Sequence, residues 1–162
     1  MNDLVVKQNS SLVAVEEAQE VVTVNLAGQV LGIPVLEVHD VLNAQQITKI
    51  PLSPEWVSGV LNLRGRIVTA IDLRARLGLP PREDGEKSMS VVVEYNDEPY
   101  SLQIDSVGEV LRLDGSMFER NPVTLEQRWR NVSTGIYRLE KQLLPILDVE
   151  KLLDFEGAAK AA

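Results

Sequence analysis

Gly59-Val60-Leu61-Asn62-Leu63-Arg64-Gly65-Arg66-Ile67-Val68-Thr69-Ala70-Ile71-Asp72-Leu73-Arg74 is the stretch on which the fold turns. Two runs rich in branched apolar residues flank an Arg-Gly pair, the pattern of a β-hairpin with a short turn. Gly65 supplies the positive φ that type II turns and bulged hairpins need. Arg64 then stands near the tip, where a guanidinium reaches outward. Asp72 follows the second strand as the N-cap of a short helix that places Leu73 and Leu77 on one face.

Toward the N-terminus, Val21 to Leu26 reads as a strand, Gly28-Gln29 as a turn and Val30 to Ile33 as a second strand. Pro34 suits the first turn of a helix carrying Val35, Val38 and Leu42 at helical spacing. Ile47 to Pro51 is a short extended piece. Toward the C-terminus, Pro80 to Lys87 is a polar, turn-rich loop joining two halves. Met89 to Tyr95 and Pro99 to Ile104 form a hairpin around Asn96-Asp97-Glu98. Residues 114–130 carry no single pattern. Gly135 to Leu139 and Gln142 to Leu147 make a last strand pair, and Asp148 caps a short helix through Leu153. Residues 1–18 read as a flexible tail and 156–162 as a frayed end.

The two halves resemble each other. Leu31 to Leu42 aligns with Tyr100 to Leu111, and Asp40 falls on Glu109. Gly59 to Leu77 aligns with Gly135 to Leu153, pairing Leu63 with Leu139, Ile71 with Leu147 and Asp72 with Asp148. Many short strands separated by turns argue for barrels. The reading is a tandem duplication with barrel halves at about 19–80 and 88–155. One such unit alone is marginal in size, whereas two that share a core are more stable. Leu63, Ile67 and Ile71 are expected to be buried, with Leu139, Leu143 and Leu147 as counterparts. The hairpin tips differ: Arg64-Gly65 in the first half, Glu140-Lys141 in the second.

Composition narrows the function. The chain has 162 residues, 44% of them hydrophobic and only 4% aromatic, so Val, Leu and Ile fill the core. With no cysteine there is no disulfide, thiolate metal site or Cys nucleophile, which fits a reducing compartment. A formal charge of -8 repels phosphate backbones and argues against nucleic acid. No apolar run approaches the roughly 18 residues of a spanning helix. Met1-Asn2-Asp3-Leu4 lacks the features of a signal peptide. The expectation is a soluble, cytoplasmic protein.

Motifs for chemistry are missing. His39 is the single histidine and reads as a rim imidazole. One His and no Cys make a transition-metal site improbable, and neither a phosphate-cradling glycine loop nor a Gly-x-Ser-x-Gly elbow occurs. Asn96-Asp97-Glu98 reads as a turn rather than a weak Ca²⁺ site. Asp72 and Asp148 are explained as caps. Trp56 and Trp129 are core residues by default or interface anchors by alternative; Arg128 and Arg130 beside Trp129 favour its partial exposure. Arg64 is either a solvated tip or a partner contact.

The hairpin closely resembles the Asn-Leu-Arg-Gly hairpin and following Asp-Leu-Arg of the CheW family. These bacterial adaptors couple chemoreceptors to a histidine kinase. Gly32-Ile33, Val38-His39-Asp40-Val41 and Leu144 to Leu153 also look like the family. Thr69-Ala70 departs from it, since the family often has Pro and a bulkier residue there. The resemblance implies a mainly β fold: two intertwined SH3-like five-stranded β-barrels with a shared core and a few short helices. It implies a scaffold without catalytic activity, cofactor or metal. Its partners would be a CheA-type histidine kinase, through the regulatory domain, and the cytoplasmic tip of a chemoreceptor. It would sit at receptor arrays through these partners, without entering the membrane. Val38, Asp40, Ile47, Gly59 and Arg64 fall on positions tied to such contacts. An adaptor of another chemosensory system is one alternative. A small β-barrel enzyme or ligand-binding protein, marked by a closed pocket with convergent titratable groups, is the other.

Overall fold

Among the described residues three hairpins turn on two-residue loops in which both residues have left-handed backbone: Ala27-Gly28, Arg64-Gly65 and Asn96-Asp97. This is the type I′ geometry, whose twist matches that of the flanking strands. It replaces the type II or bulged turn expected at Gly65, and it moves the first turn one residue back from Gly28-Gln29. The computed structural model describes residues 18–83, 85–120 and 125–154. Apart from Ala18, the expected tails lie outside the described residues.

The strands are β1 (Gln19–Leu26), β2 (Gln29–Pro34), β3 (Asp40–Asn43), β4 (Val57–Leu63), β5 (Arg66–Asp72), β6 (Met89–Tyr95), β7 (Glu98–Ile104), β8 (Ser106–Leu113), β9 (Phe118–Glu119), β10 (Ser133–Arg138) and β11 (Leu143–Leu147). Among the described residues three short helices follow strands or loops: α1 (Leu73–Arg76), α2 (Gln127–Arg130) and α3 (Val149–Leu153). Asp72 accepts hydrogen bonds from the Arg74 and Ala75 amides, and Asp148 from those of Glu150 and Lys151, so both are N-caps as the sequence predicts.

The helix expected from Pro34 is a correction. Only Val35–Glu37 turns, as one 3₁₀ step, and Val38 is already extended at φ -89°, ψ 117°. The His39 amide donates to the Val92 carbonyl at 2.8 Å, and β3 then pairs with β6. The β-branched Val38 and Val41 gain more from extended backbone beside a neighbouring strand than from a helix that restricts their χ1 freedom.

One sheet has the order β8-β1-β2-β11-β10-β9 and the other β3-β6-β7-β5-β4. Each closes on the chain that follows its edge strand. In the first, β9 returns from β8 to pair with β10. In the second, Thr48 returns from β3 to bridge Val60 of β4. These are the first and second barrels. Each takes two strands from one half of the chain and the rest from the other, so the break at about 80–88 does not divide the barrels. The registers carry the duplication. The parallel pair Gly32–Ile146 has its mate in Ser101–Ala70, and the Trp56 carbonyl that accepts from Asp72 has its mate in Val132 and Asp148.

Among the described residues three apolar clusters result. The largest lies between the barrels and includes Leu26, Ile33, Ile71, Leu102, Ile104 and Leu147. Smaller ones fill each barrel. Trp129 is buried in the shared cluster, against the expectation of partial exposure, and Trp56 is half-buried with the Arg76 guanidinium 5.9 Å from its ring centre. Ile71 and Leu147 are fully buried as expected, and Leu63, Leu139 and Leu143 are half-buried. Ile67 is 64% exposed and is a correction. The two-residue turn pairs it with Asn62, and cross-strand partners share a face.

Asp105 ties the halves together. Its carboxylate accepts from Arg74 at 2.6 and 3.1 Å, from Arg82 of the connecting loop at 2.9 Å and from the Ala27 amide at 2.8 Å. Burial pushes its pKa up, but the Arg74 bonds, the Ala27 amide and Arg82 outweigh this and hold it below the ordinary value.

Two outcomes follow. Ile71→Ala or Leu147→Ala should cost roughly 2–5 kcal/mol in denaturant melts, and Ile67→Ala less than about 0.5 kcal/mol. Asp105 contributes stability that is present above its unfolded pKa of about 3.9 and is lost as pH falls through its lower folded value. The stability gap between wild type and Asp105→Asn should therefore narrow below about pH 4, measured by urea melts across the acid range.

Candidate partner-binding site

Arg64 occupies the hairpin tip at φ 53°, followed by Gly65 at 85°. The Gly65 amide donates to Asn62 Oδ1 at 3.0 Å, which closes the turn from its own side chain. Arg64 Nη1 donates to Asp40 Oδ2 at 2.7 Å. The Arg64 side chain is 74% exposed and that of Asp40 23%, so most of the guanidinium faces outward while one end is anchored. Asp40 opens β3, and its Oδ1 accepts from the Val41 amide. The Arg64 hydrogen bond, then the Val41 amide, hold the Asp40 carboxyl below the usual range. Two residues 24 positions apart are thus joined across the second barrel. They border a cleft of about 220 Å³ that also reaches His39, Val68 and Val92.

Gly59 works from inside. It is buried, at φ 144°, beside a β-bulge between Val57 and Gly59. A Cβ there would stand 2.1 Å from the Thr48 carbonyl oxygen and 2.9 Å from Ile47 Cγ2. Gly59 is therefore the space that lets residues 47 and 48 close the barrel. Its mate Gly135 does the same for Phe118 and Glu119. Ile47 is half-buried against the second barrel's interior, whereas Val38 packs against the shared cluster. The structure brings Asp40 to Arg64 and Ile47 to Gly59, and leaves Val38 apart from both pairs.

Exposed apolar side chains escaped the sequence reading. Ile67 is one, and Leu36, at 96% exposure, is another, left outward when the expected helix becomes a single turn. For Ile67 the signal was present: a two-residue loop puts it opposite polar Asn62. His39 is exposed on the cleft rim.

A larger cleft, about 800 Å³ and open to solvent, lies on the first barrel beside Glu37 and Asp148. Burial, then repulsion from Asp148, raises the Glu37 pKa. Among the described residues no group of three or more His, Cys, Asp or Glu is placed to hold a metal. Among them, too, no helix is long and apolar enough to cross a membrane.

Two closed β-barrels sharing a core, with an anchored Arg at one hairpin tip, define a class of small β-barrel domains. The CheW-like domain model matches residues 20–156, and the chain belongs to that family. It is 31% identical to the chemotaxis protein CheW of Klebsiella aerogenes over 153 residues, 93% of this chain and 90% of that one. It is 29% identical to the chemotaxis protein CheW of Thermotoga maritima over 135 residues, 83% and 87% of the two chains. The crystal structure of the scaffolding protein TtCheW from Thermoanaerobacter tengcongensis superposes with a TM-score of 0.77 at 30% identity, covering 85% of this chain and 93% of that one.

The two glycines separate backbone strain from steric closure. Among the described residues nothing lies within 4 Å of a Cβ added at Gly65, so Gly65→Ala should cost only the left-handed penalty of about 1–2 kcal/mol. Gly59→Ala adds a clash with backbone and should cost more than Gly65→Ala, as read from thermal melts of the pair.

Proposed function

We propose that this protein is a non-catalytic chemotaxis adaptor that joins the cytoplasmic tip of a chemoreceptor to the regulatory domain of a CheA-type histidine kinase. The observation that carries the site is the Arg64–Asp40 pair. Asp40 holds one edge of the guanidinium and so limits the rotamer freedom that binding has to remove. The rest of the planar fork is presented to a partner carboxylate or to the carbonyls at a helix end. Family membership and the named relatives support the adaptor role.

An adaptor acts by linkage. By binding two partners at separate surfaces it raises their effective concentration for each other. Control of the kinase then comes from unequal affinity for its active and inactive states. In this reading Arg64 and Asp40 make direct contact. Ile47 offers a half-buried apolar side chain, Gly59 positions it, and Val38, half-buried against the shared cluster, adds a second apolar contact for the side of a receptor helix. The protein is cytoplasmic and reaches receptor arrays through its partners.

Arg64→Ala tests the reading. A surface change of this kind should move stability by less than about 0.5 kcal/mol, so the thermal melt stays nearly unchanged. A desolvated charge-assisted bond contributes about 1.5–3 kcal/mol, so capture of kinase or receptor should fall roughly ten- to a hundred-fold. Arg64→Lys should restore only part, because an ammonium keeps the charge and loses the fork. Normal co-sedimentation of the Ala variant with receptor membranes and kinase would remove Arg64 from the site.

A further inference from the structure

The duplication allows the two barrels to be compared position by position, and their interiors are unequal. The first barrel is filled by Val21, Leu113, Tyr137, Leu144 and Ile146, with Phe118 packed against them. The registers place Ser90, Leu61, Val68, Ala70 and Ile47 at the positions of the second that match Val21, Tyr137, Leu144, Ile146 and Phe118, and the mate of Leu113, Ala44, lies exposed just beyond β3. Every one is smaller than its mate. The buried cluster shrinks to Leu61, Val68 and Ala70.

A further difference is polar. Ser101 is the mate of Gly32 and is 1% exposed, and among the described residues its Oγ has no hydrogen-bond partner. A buried hydroxyl without a partner is destabilising, because its hydration is lost and nothing replaces it. The cleft at Asp40 and Arg64 reaches Val68 and Val92, so the thin interior lies close to solvent. The closure is also weaker. One bridge, Thr48 to Val60, stands where β9 and β10 pair twice. The edge strand β3 has four residues and its mate β8 has eight.

We propose that the second barrel opens as a unit while the first barrel and the shared core stay folded. The opening unit is β3, the chain to Glu55 and the β4–β5 hairpin from Ser58 to Ala70, which leaves out Trp56 and Val57 because they pack against the shared cluster. It ends there because Ile71 and Leu73 belong to the shared cluster. Segments with few buried apolar contacts open at lower free energy than the global transition. Within this unit β3 has no buried residue, and β4 has only Gly59 and Leu61. The Arg64–Asp40 pair is the latch that joins the hairpin tip to β3. On the adaptor reading, a partner that grips both residues binds the closed form and selects it.

Native-state hydrogen exchange of the full chain, resolved by residue with NMR in low denaturant, tests the proposal. The Leu61, Val68 and Ala70 amides should be at least about ten-fold less protected than those of Tyr137, Leu144 and Ile146, with a shallower denaturant dependence. Ala70→Val, which moves toward the Ile of the equivalent position, should raise protection of Leu61 and Val68 several-fold and leave Leu144 unchanged. Equal protection of the two sets in wild type, or exchange of both through one global opening, would overturn the proposal. So would an Ala70→Val chain that folds yet leaves exchange in the second barrel unaltered. If that variant fails to fold, the wild-type comparison still decides. None of these readouts needs a partner, so they stand or fall separately from the adaptor function.

Discussion

Two parallel strand pairings carry the rest of this structure: Gly32 with Ile146, and Ile71 with Leu102. Each joins a hairpin of one half of the chain to a hairpin of the other. Without them there are only isolated hairpins and short helices, which are marginal in water. With them, each sheet has enough strands to curl and close, and the faces turned inward become one apolar layer containing Ile33, Ile71, Ile104 and Leu147. Neither half buries this layer by itself. The hydrophobic stabilisation of the fold is therefore non-local, and the loop at 80–88 is a covalent connection between two halves that share one core.

Electrostatics reinforces this at two places with different consequences. Asp105 gathers Arg74, Arg82 and an amide of the other barrel in a partly buried network, where the weaker screening makes such contacts count. Arg64 and Asp40 form a pair at the surface, where an ion pair contributes little to stability. A contact that stabilises the fold little, yet holds a guanidinium in one place, is suited to recognition. The same distinction applies to the glycines: Gly65 permits a turn, whereas Gly59 makes room for a strand closure. The unequal filling of the barrels adds to it. The barrel that carries Asp40, Ile47, Gly59 and Arg64 is the barrel with the thinner interior.

Local chemistry made most of the elements legible. Branched residues alternating around Arg-Gly and around Asn-Asp set the hairpins, and Asp72 and Asp148 announced their helices. The internal repeat was readable because equivalent residues meet equivalent backbone neighbours, and the strand-and-turn pattern of Gly59 to Arg74 was distinctive enough to point to the CheW family. These features depend on neighbours a few positions away. What the chain alone did not decide depends on distant partners. Val35 to Leu42 has helical spacing, but β6 lies alongside and takes its backbone hydrogen bonds. Ile67 is as apolar as Val68, but the register of the hairpin turns it to solvent. Trp129 sits between two arginines, yet packs into the shared core. The pairing of Asp40 with Arg64 and the exchange of strands between halves arise only when the barrels close, because closure is what brings residues far apart in sequence within bonding distance.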